Sequence, residues 1–143
     1  MTRDPVCSLV NDTVDEAAQL MRYADVGALP VVDCRRNRHL IGIVTDRDLA
    51  VRVVGRGFHP QLTRVADVMT PSPIHCREDE DVTGALTKMV LHRVRRIPTV
   101  NAEGKLVGII TQADVATRLS DPQLTASVIE DLSRPHEDTD RAS

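Results

Sequence analysis

Aromatic residues are almost missing from this chain: one tyrosine, one phenylalanine and no tryptophan in 143 residues. The core must be built from Val, Leu, Ile, Ala and Met. A planar ligand would have to lie between aliphatic side chains and backbone groups, because there are no rings on which to stack it. Positive charge is not in surplus either. The net charge is −3, so no global field draws the chain to nucleic acid or to anionic lipid. Two short basic runs, "CRRNRH" and "HRVRR", are the only features favouring a nucleic acid. No apolar run approaches the ~18 residues of a membrane helix, and no signal-peptide pattern opens the chain. The expectation is a soluble, cytoplasmic protein with neither a nucleic-acid nor a membrane partner.

Other chemistries are excluded by spacing. Cys7, Cys34 and Cys76 are an odd count without CxxC spacing and make no disulfide framework. With His39 and His75 they supply metal-ligand types, but no pair has zinc-finger or zinc-ribbon spacing. Buried thiols acting as small hydrophobes are expected, and no metal site. A Cys7–Cys34 disulfide stays open as a redox alternative. There is no nucleophile elbow, P-loop, HExxH or paired-glycine fingerprint, so no enzyme is expected.

What the chain does contain is itself, twice. "HLIGIVTDRDLAV" (39–51) returns as "KLVGIITQADVAT" (105–117), with identity at Leu40/Leu106, Gly42/Gly108, Ile43/Ile109, Thr45/Thr111, Asp48/Asp114 and Ala50/Ala116. "GALPVVD" (27–33) matches "RRIPTVN" (95–101), and Val14, Ala17 and Met21 match Val82, Ala85 and Met89. The expected units are 2–54 and 64–119, with 55–63 as linker, a helix at 120–133 and a disordered tail at 134–143.

Each unit reads as β-α-β-β-α. A short strand near Val6–Ser8 or Ile74–Cys76 leads to a helix whose apolar positions recur at helical spacing. The following strands, 29–32 and 40–44, then 97–100 and 106–110, are continuous β-branched runs that argue for burial on both faces. A second helix starts at Thr45 or Thr111. "RVADVM" reads as a helical turn. The fold class is α/β (α+β), two repeats packed about a pseudo-two-fold axis.

The Thr-x-x-Asp turns carry two readings. Each fits a capping box: the hydroxyl accepts from the amide three residues on, and the acid reaches back. Each also aims free amides and a hydroxyl at one point, suited to a phosphate or ribose oxygen. Gly42 and Gly108, just before, allow a backbone or a ligand to approach closely.

"GALPVVD", "LIGIVTDRDLA", "VADVMTPSPI", "RRIPTVN" and "LVGIITQADVA", in that order and spacing, resemble a tandem pair of CBS (cystathionine β-synthase) domains, a Bateman module. The arrangement is similar to small stand-alone bacterial pairs, the mycobacterial hypoxic response type among them. The resemblance implies two clefts between the units that bind adenosyl compounds (AMP, ADP, ATP or S-adenosylmethionine) as regulatory ligands, with no obligatory cofactor. It also implies a homodimer formed through the helices and an acid in each turn that binds ribose. Carried over by position, the first cleft joins Ile43, Thr45 and Asp48 to Thr70, Ile74, His75, Arg95, Arg96, Ile97 and Pro98. The second joins Ile109, Thr111 and Asp114 to Thr2, Val6, Cys7, Gly27, Ala28, Leu29 and Pro30.

The two clefts differ in charge. Arg95 and Arg96 stand where the first unit has Gly27 and Ala28, and their planar forks suit a phosphate. A phosphorylated nucleotide is therefore expected in the first cleft. The shorter opening "MTRDP", against "ADVMTP", is expected to weaken the second. The function expected is a non-catalytic sensor acting on an unidentified effector protein. The alternative is a ligand-free stress-response or interaction module that keeps the fold, responsive to redox or metal through its cysteines.

Overall fold

The computed structural model describes residues 1–118; the helix and tail expected beyond them lie outside the described residues. Helix α1 (Val14–Ala24) and helix α3 (Val82–His92) arise where the apolar period runs. Thr13 and Glu16 close a reciprocal capping box on α1, and Asp81 accepts from the Gly84 amide to start α3. Val14, Ala17 and Met21 of α1 are buried, as are Ala85, Leu86 and Met89 of α3.

Two four-stranded sheets form, each completed by a strand from the other half of the chain. The strands are β1 (Thr2–Arg3), β2 (Ser8–Leu9), β3 (Ala28–Val32), β4 (Leu40–Thr45), β5 (Thr70–Pro71), β6 (Cys76–Arg77), β7 (Arg96–Val100) and β8 (Leu106–Thr111). Their orders are β1-β8-β7-β6 and β2-β3-β4-β5. Strand β1 opens the first unit but pairs with β8 of the second, Thr2 opposite Ile109 and Arg3 opposite Gly108. Strand β5 opens the second unit but pairs with β4 of the first, Thr70 opposite Ile43 and Pro71 opposite Gly42. The two crossings share one register. The turn before β5 follows its strand: Val65 and Val68 are buried in the first unit's core.

The structure shifts several sequence expectations. The strand expected at Val6–Ser8 runs over Ser8–Leu9, and its counterpart over Cys76–Arg77. Strands β3 and β7 are buried along nearly their whole length, but β4 and β8 alternate between buried and partly exposed residues. Burial on both faces holds only for β3 and β7. After Thr45 the chain makes one α turn, α2 (Asp46–Asp48), and widens into a π-helix over Leu49–Val54. Its counterpart after Thr111, α4 (Gln112–Arg118), is an ordinary α-helix over the described residues. "RVADVM" gives the expected turn, a 3₁₀ helix at Val65–Asp67.

Equivalent side chains shape the two β-hairpins. Asp33 Oδ1 accepts from the amides of Cys34 and His39, and Asn101 Oδ1 from those of Glu103 and Lys105. The hairpins meet each other: the Leu40 amide donates to the Gly104 carbonyl at 3.2 Å, and the Leu106 amide to the Arg38 carbonyl at 2.8 Å. These reciprocal bonds lie where the pseudo-two-fold axis relates the repeats.

Thr99 breaks the symmetry of the core. It is fully buried, and its Oγ1 has no hydrogen-bond partner. Val31, one repeat away, is equally buried. A buried hydroxyl without a partner costs about 1–3 kcal/mol. Thr99→Val should therefore stabilise the protein by about 1 kcal/mol, seen as a raised urea midpoint at unchanged m-value; a lowered midpoint would mean that the hydroxyl is satisfied in solution.

Candidate functional site

Both Thr-x-x-Asp turns fold as complete capping boxes. The Thr45 amide donates to Asp48 Oδ2 at 2.9 Å, and the Asp48 amide donates to Thr45 Oγ1 at 3.1 Å. In the second unit the Thr111 amide donates to Asp114 Oδ2 at 2.9 Å, and the Asp114 amide to Thr111 Oγ1 at 3.2 Å. The structural role of the motif is thus realised twice. It engages Oδ2 and the Thr hydroxyl, and leaves each carboxylate's Oδ1 outside the cap.

The two carboxylates sit in different surroundings. Asp48 Oδ1 lies 3.7 Å from Arg52 Nε, one helical turn on, and the Asp48 side chain is 12% exposed. The Asp114 side chain is 28% exposed, and its Oδ2 lies 3.5 Å from the Met1 ammonium. Burial works against ionisation of Asp114. The Thr111 amide and hydroxyl and the Met1 ammonium outweigh it, holding the carboxyl below the usual aspartate range. Sequence reasoning missed the Arg52 contact, although its i,i+4 spacing from Asp48 is the signal that finds such pairs.

The glycines before each turn serve the strand exchange. A Cβ on Gly42 would run into Met69 Sδ and stand 3.1 Å from the Thr70 carbonyl oxygen. A Cβ on Gly108 would stand 2.6 Å from Met1 Sδ and 2.8 Å from the Thr2 carbonyl oxygen. Of the two approaches the sequence allowed, a backbone is the one observed. The short "MTRDP" opening also completes its sheet in the same register as the longer one.

The predicted cleft residues divide into three groups. Thr70 stands opposite Ile43 and Thr2 opposite Ile109, each pair across the two units. Leu29, Pro30, Ile97 and Pro98 are fully buried and belong to the core. Val6 and Ile74, equivalent across the repeat, are 41% and 36% exposed. They are apolar positions just ahead of β2 and β6 that the fold leaves uncovered, flanked by the half-buried Cys7 and the exposed His75. Gly27 and Ala28 lie by backbone beside the first turn, Ala28 opposite Thr45. Arg95 and Arg96 lie by backbone beside the second: Arg96 is opposite Thr111, and the Arg95 carbonyl accepts from the Gln112 amide. Both arginines are exposed. Among the described residues, no three His, Cys, Asp or Glu side chains gather as a metal site would require. No helix among them is long and apolar enough to cross a membrane.

Two sheets built by strand exchange about a pseudo-dyad, with matching Thr-x-x-Asp turns, define a tandem CBS pair. The chain belongs to the CBS domain family, whose model matches residues 1–55 and 65–121. It is 40% identical over 133 residues to the uncharacterized protein YlbB of Bacillus subtilis, covering 93% of this chain and 88% of that one. Hypoxic response protein I, in a crystal structure with two coordinated zinc ions, superposes with a TM-score of 0.74 at 33% identity, covering 83% of this chain and 94% of that one. The CBS-pair protein CBSX2, in a crystal structure with AMP, superposes at 0.69 and 31% identity, covering 82% and 90%.

The depressed pKa of Asp114 sets a pH test of the cap. A carboxyl whose folded pKa lies below its unfolded value, about 3.9, contributes stability above that value and loses it as pH falls through the folded one. Asp114→Ala should cost about 0.5–1 kcal/mol at neutral pH, and the gap to wild type should narrow as the pH is lowered below about 4. Urea unfolding of both proteins across this range checks it; a pH-independent gap would show that the carboxylate's charge plays no part in the cap.

Proposed function

We propose that the protein is a non-catalytic ligand sensor whose inter-unit clefts bind an adenosyl compound of the AMP, ATP or S-adenosylmethionine class. The observation that carries this reading is the paired arrangement at each turn. A capped Asp stands at a helix N-terminus with one oxygen outside the cap, and the other unit's opening strand lies against the strand leading into that turn. The outward oxygen suits a ribose diol. Exposed Val6 and Ile74 offer aliphatic surface for a base in a chain without aromatic platforms. The AMP held by CBSX2 supports the ligand class.

The phosphate end falls to Arg95 and Arg96. In the first assignment their side chains serve the cleft of Asp48, and a phosphorylated nucleotide prefers that cleft. A second assignment, to the cleft of Asp114, is favoured by the backbone pairing of Arg96 with Thr111 and by the greater exposure of the Asp114 side chain. The ligand signal passes to an effector protein. Val51 and Val54 are exposed on the π-helix, and Phe58 and Leu62 in the segment that follows it; this apolar surface suits a homodimer formed through the helices.

Calorimetric titration of AMP into wild type, Asp48→Ala and Asp114→Ala separates the two assignments. Loss of binding in Asp48→Ala alone is the expected result; loss in Asp114→Ala alone transfers the nucleotide to the other cleft. A thermal-shift panel of AMP, ADP, ATP and S-adenosylmethionine tests the reading as a whole. A ligand at 100 times its Kd adds about 2.7 kcal/mol of stability, and no shift with any of them would favour the ligand-free interaction module.

A further inference from the structure

A cavity of about 530 Å³ opens in the first unit between α1, the segment leading into β2 and the β3–β4 turn. It shares Val6 and Cys7 with the expected second cleft but is lined by neither Thr-x-x-Asp turn. Its lining carries both signs of charge: Asp12 and Glu16 at the start of α1, and Arg35 and Arg38 from the turn, together with the apolar Leu9 and Leu20. The volume is in the range of small-molecule sites.

The second unit shows what belongs in the equivalent place. The segments that lead from β2 into α1 and from β6 into α3 fold alike: the Leu9 amide donates to Asp12 Oδ2 at 2.9 Å, and the Arg77 amide to Glu80 Oε1 at 3.1 Å. Asp12 therefore corresponds to Glu80, Cys7 to His75 and Leu20 to Lys88. In the second unit the Lys88 ammonium donates to the His75 carbonyl at 2.8 Å and to Glu80 Oε1 at 2.9 Å. This cation also holds Glu80 below the usual carboxylate range, through its hydrogen bond first. The first unit has Leu20 at that position, which carries no donor, and Glu16 where the second has Gly84. The Asp12 acceptor is kept, Glu16 adds a carboxylate whose Oε1 already serves the α1 capping box, and the built-in ammonium is removed. Facing it, the β3–β4 turn supplies two guanidiniums where the β7–β8 turn, "NAEGK", has no arginine. Arg38 donates to the Pro5 carbonyl at 3.4 Å, which fixes it at the cavity wall, and Arg35 is exposed at the rim.

We infer that this cavity is a binding site for a short ω-amino acid, a zwitterion whose ammonium takes the place that the Lys88 ammonium takes in the second unit and whose carboxylate pairs with Arg35 and Arg38. The short apolar stem between the charges lies against Leu9 and Leu20. The site shares Val6 and Cys7 with the expected second cleft but uses neither Thr-x-x-Asp turn and needs no adenine, so its failure leaves the adenosyl reading standing, and the reverse.

The test uses 5-aminovalerate, with pentanoate and pentylamine as the two half-ligands, followed by amide chemical shifts of the full chain. The zwitterion should shift Cys7, Asp12 and Arg35 saturably, and each half-ligand should bind at least tenfold more weakly. Leu20→Lys, which copies the second unit, should weaken 5-aminovalerate at least tenfold while leaving the spectrum of a folded protein. Arg35→Ala, at an exposed position, provides an independent variant and should weaken it in the same direction. The inference is overturned if 5-aminovalerate gives no saturable shift, if either half-ligand matches it, or if both variants bind it as wild type does.

Discussion

Two short antiparallel crossings hold the architecture together: Thr70–Pro71 on β4, and Thr2–Arg3 on β8. Each is only two residues long, so its backbone bonds alone contribute little. Their effect comes from what they carry. Val65 and Val68 enter the first unit's core behind one crossing, and Met69 and Met1 close over Gly42 and Gly108. Neither sheet reaches four strands without chain from the other half. Each proposed cleft likewise takes its walls from both halves. In the proposed function, a ligand bridging those walls acts on the relation between the units, which is what the proposed sensor would report.

The Thr-x-x-Asp turn joins fold and site in the same atoms. One carboxylate oxygen and the Thr hydroxyl satisfy amides at the helix start, which any buried helix end requires. The other oxygen is free of that duty. In the first unit it sits beside Arg52 in a nearly closed setting; in the second the carboxylate is more open. The repeats are thus alike in their caps and unlike around them. The same pattern recurs elsewhere: Leu20 stands for Lys88, Val31 for Thr99, and Gly27-Ala28 for Arg95-Arg96. Duplication supplied the scaffold, and these pairs mark where the two halves differ in chemistry.

Much of this was legible in the residues. The helical period of Val14, Ala17 and Met21 and its repeat at Val82, Ala85 and Met89 located α1 and α3. The Thr-x-x-Asp spacing located both caps, and the matching segments located the pseudo-dyad. The exchanged strands were not legible as strands, because two residues have no period and owe their conformation to a distant partner. The widening of the helix after Asp48 into a π-helix leaves no mark in the apolar pattern. The surroundings of Arg95 and Arg96 were read by family position alone. Their backbone neighbour, the second turn, follows from a hairpin register that sequence alone leaves open.

The central claim is that the exchanged strands make the two units one cooperative body, and calorimetric unfolding of the full chain tests it most directly. The expected result is a single transition in which the van't Hoff and calorimetric enthalpies agree, and a shift of that whole transition by Gly108→Ala, whose added Cβ meets Met1 and Thr2 at the β1–β8 crossing. Two resolved transitions, or a Gly108→Ala effect confined to one of them, would contradict it.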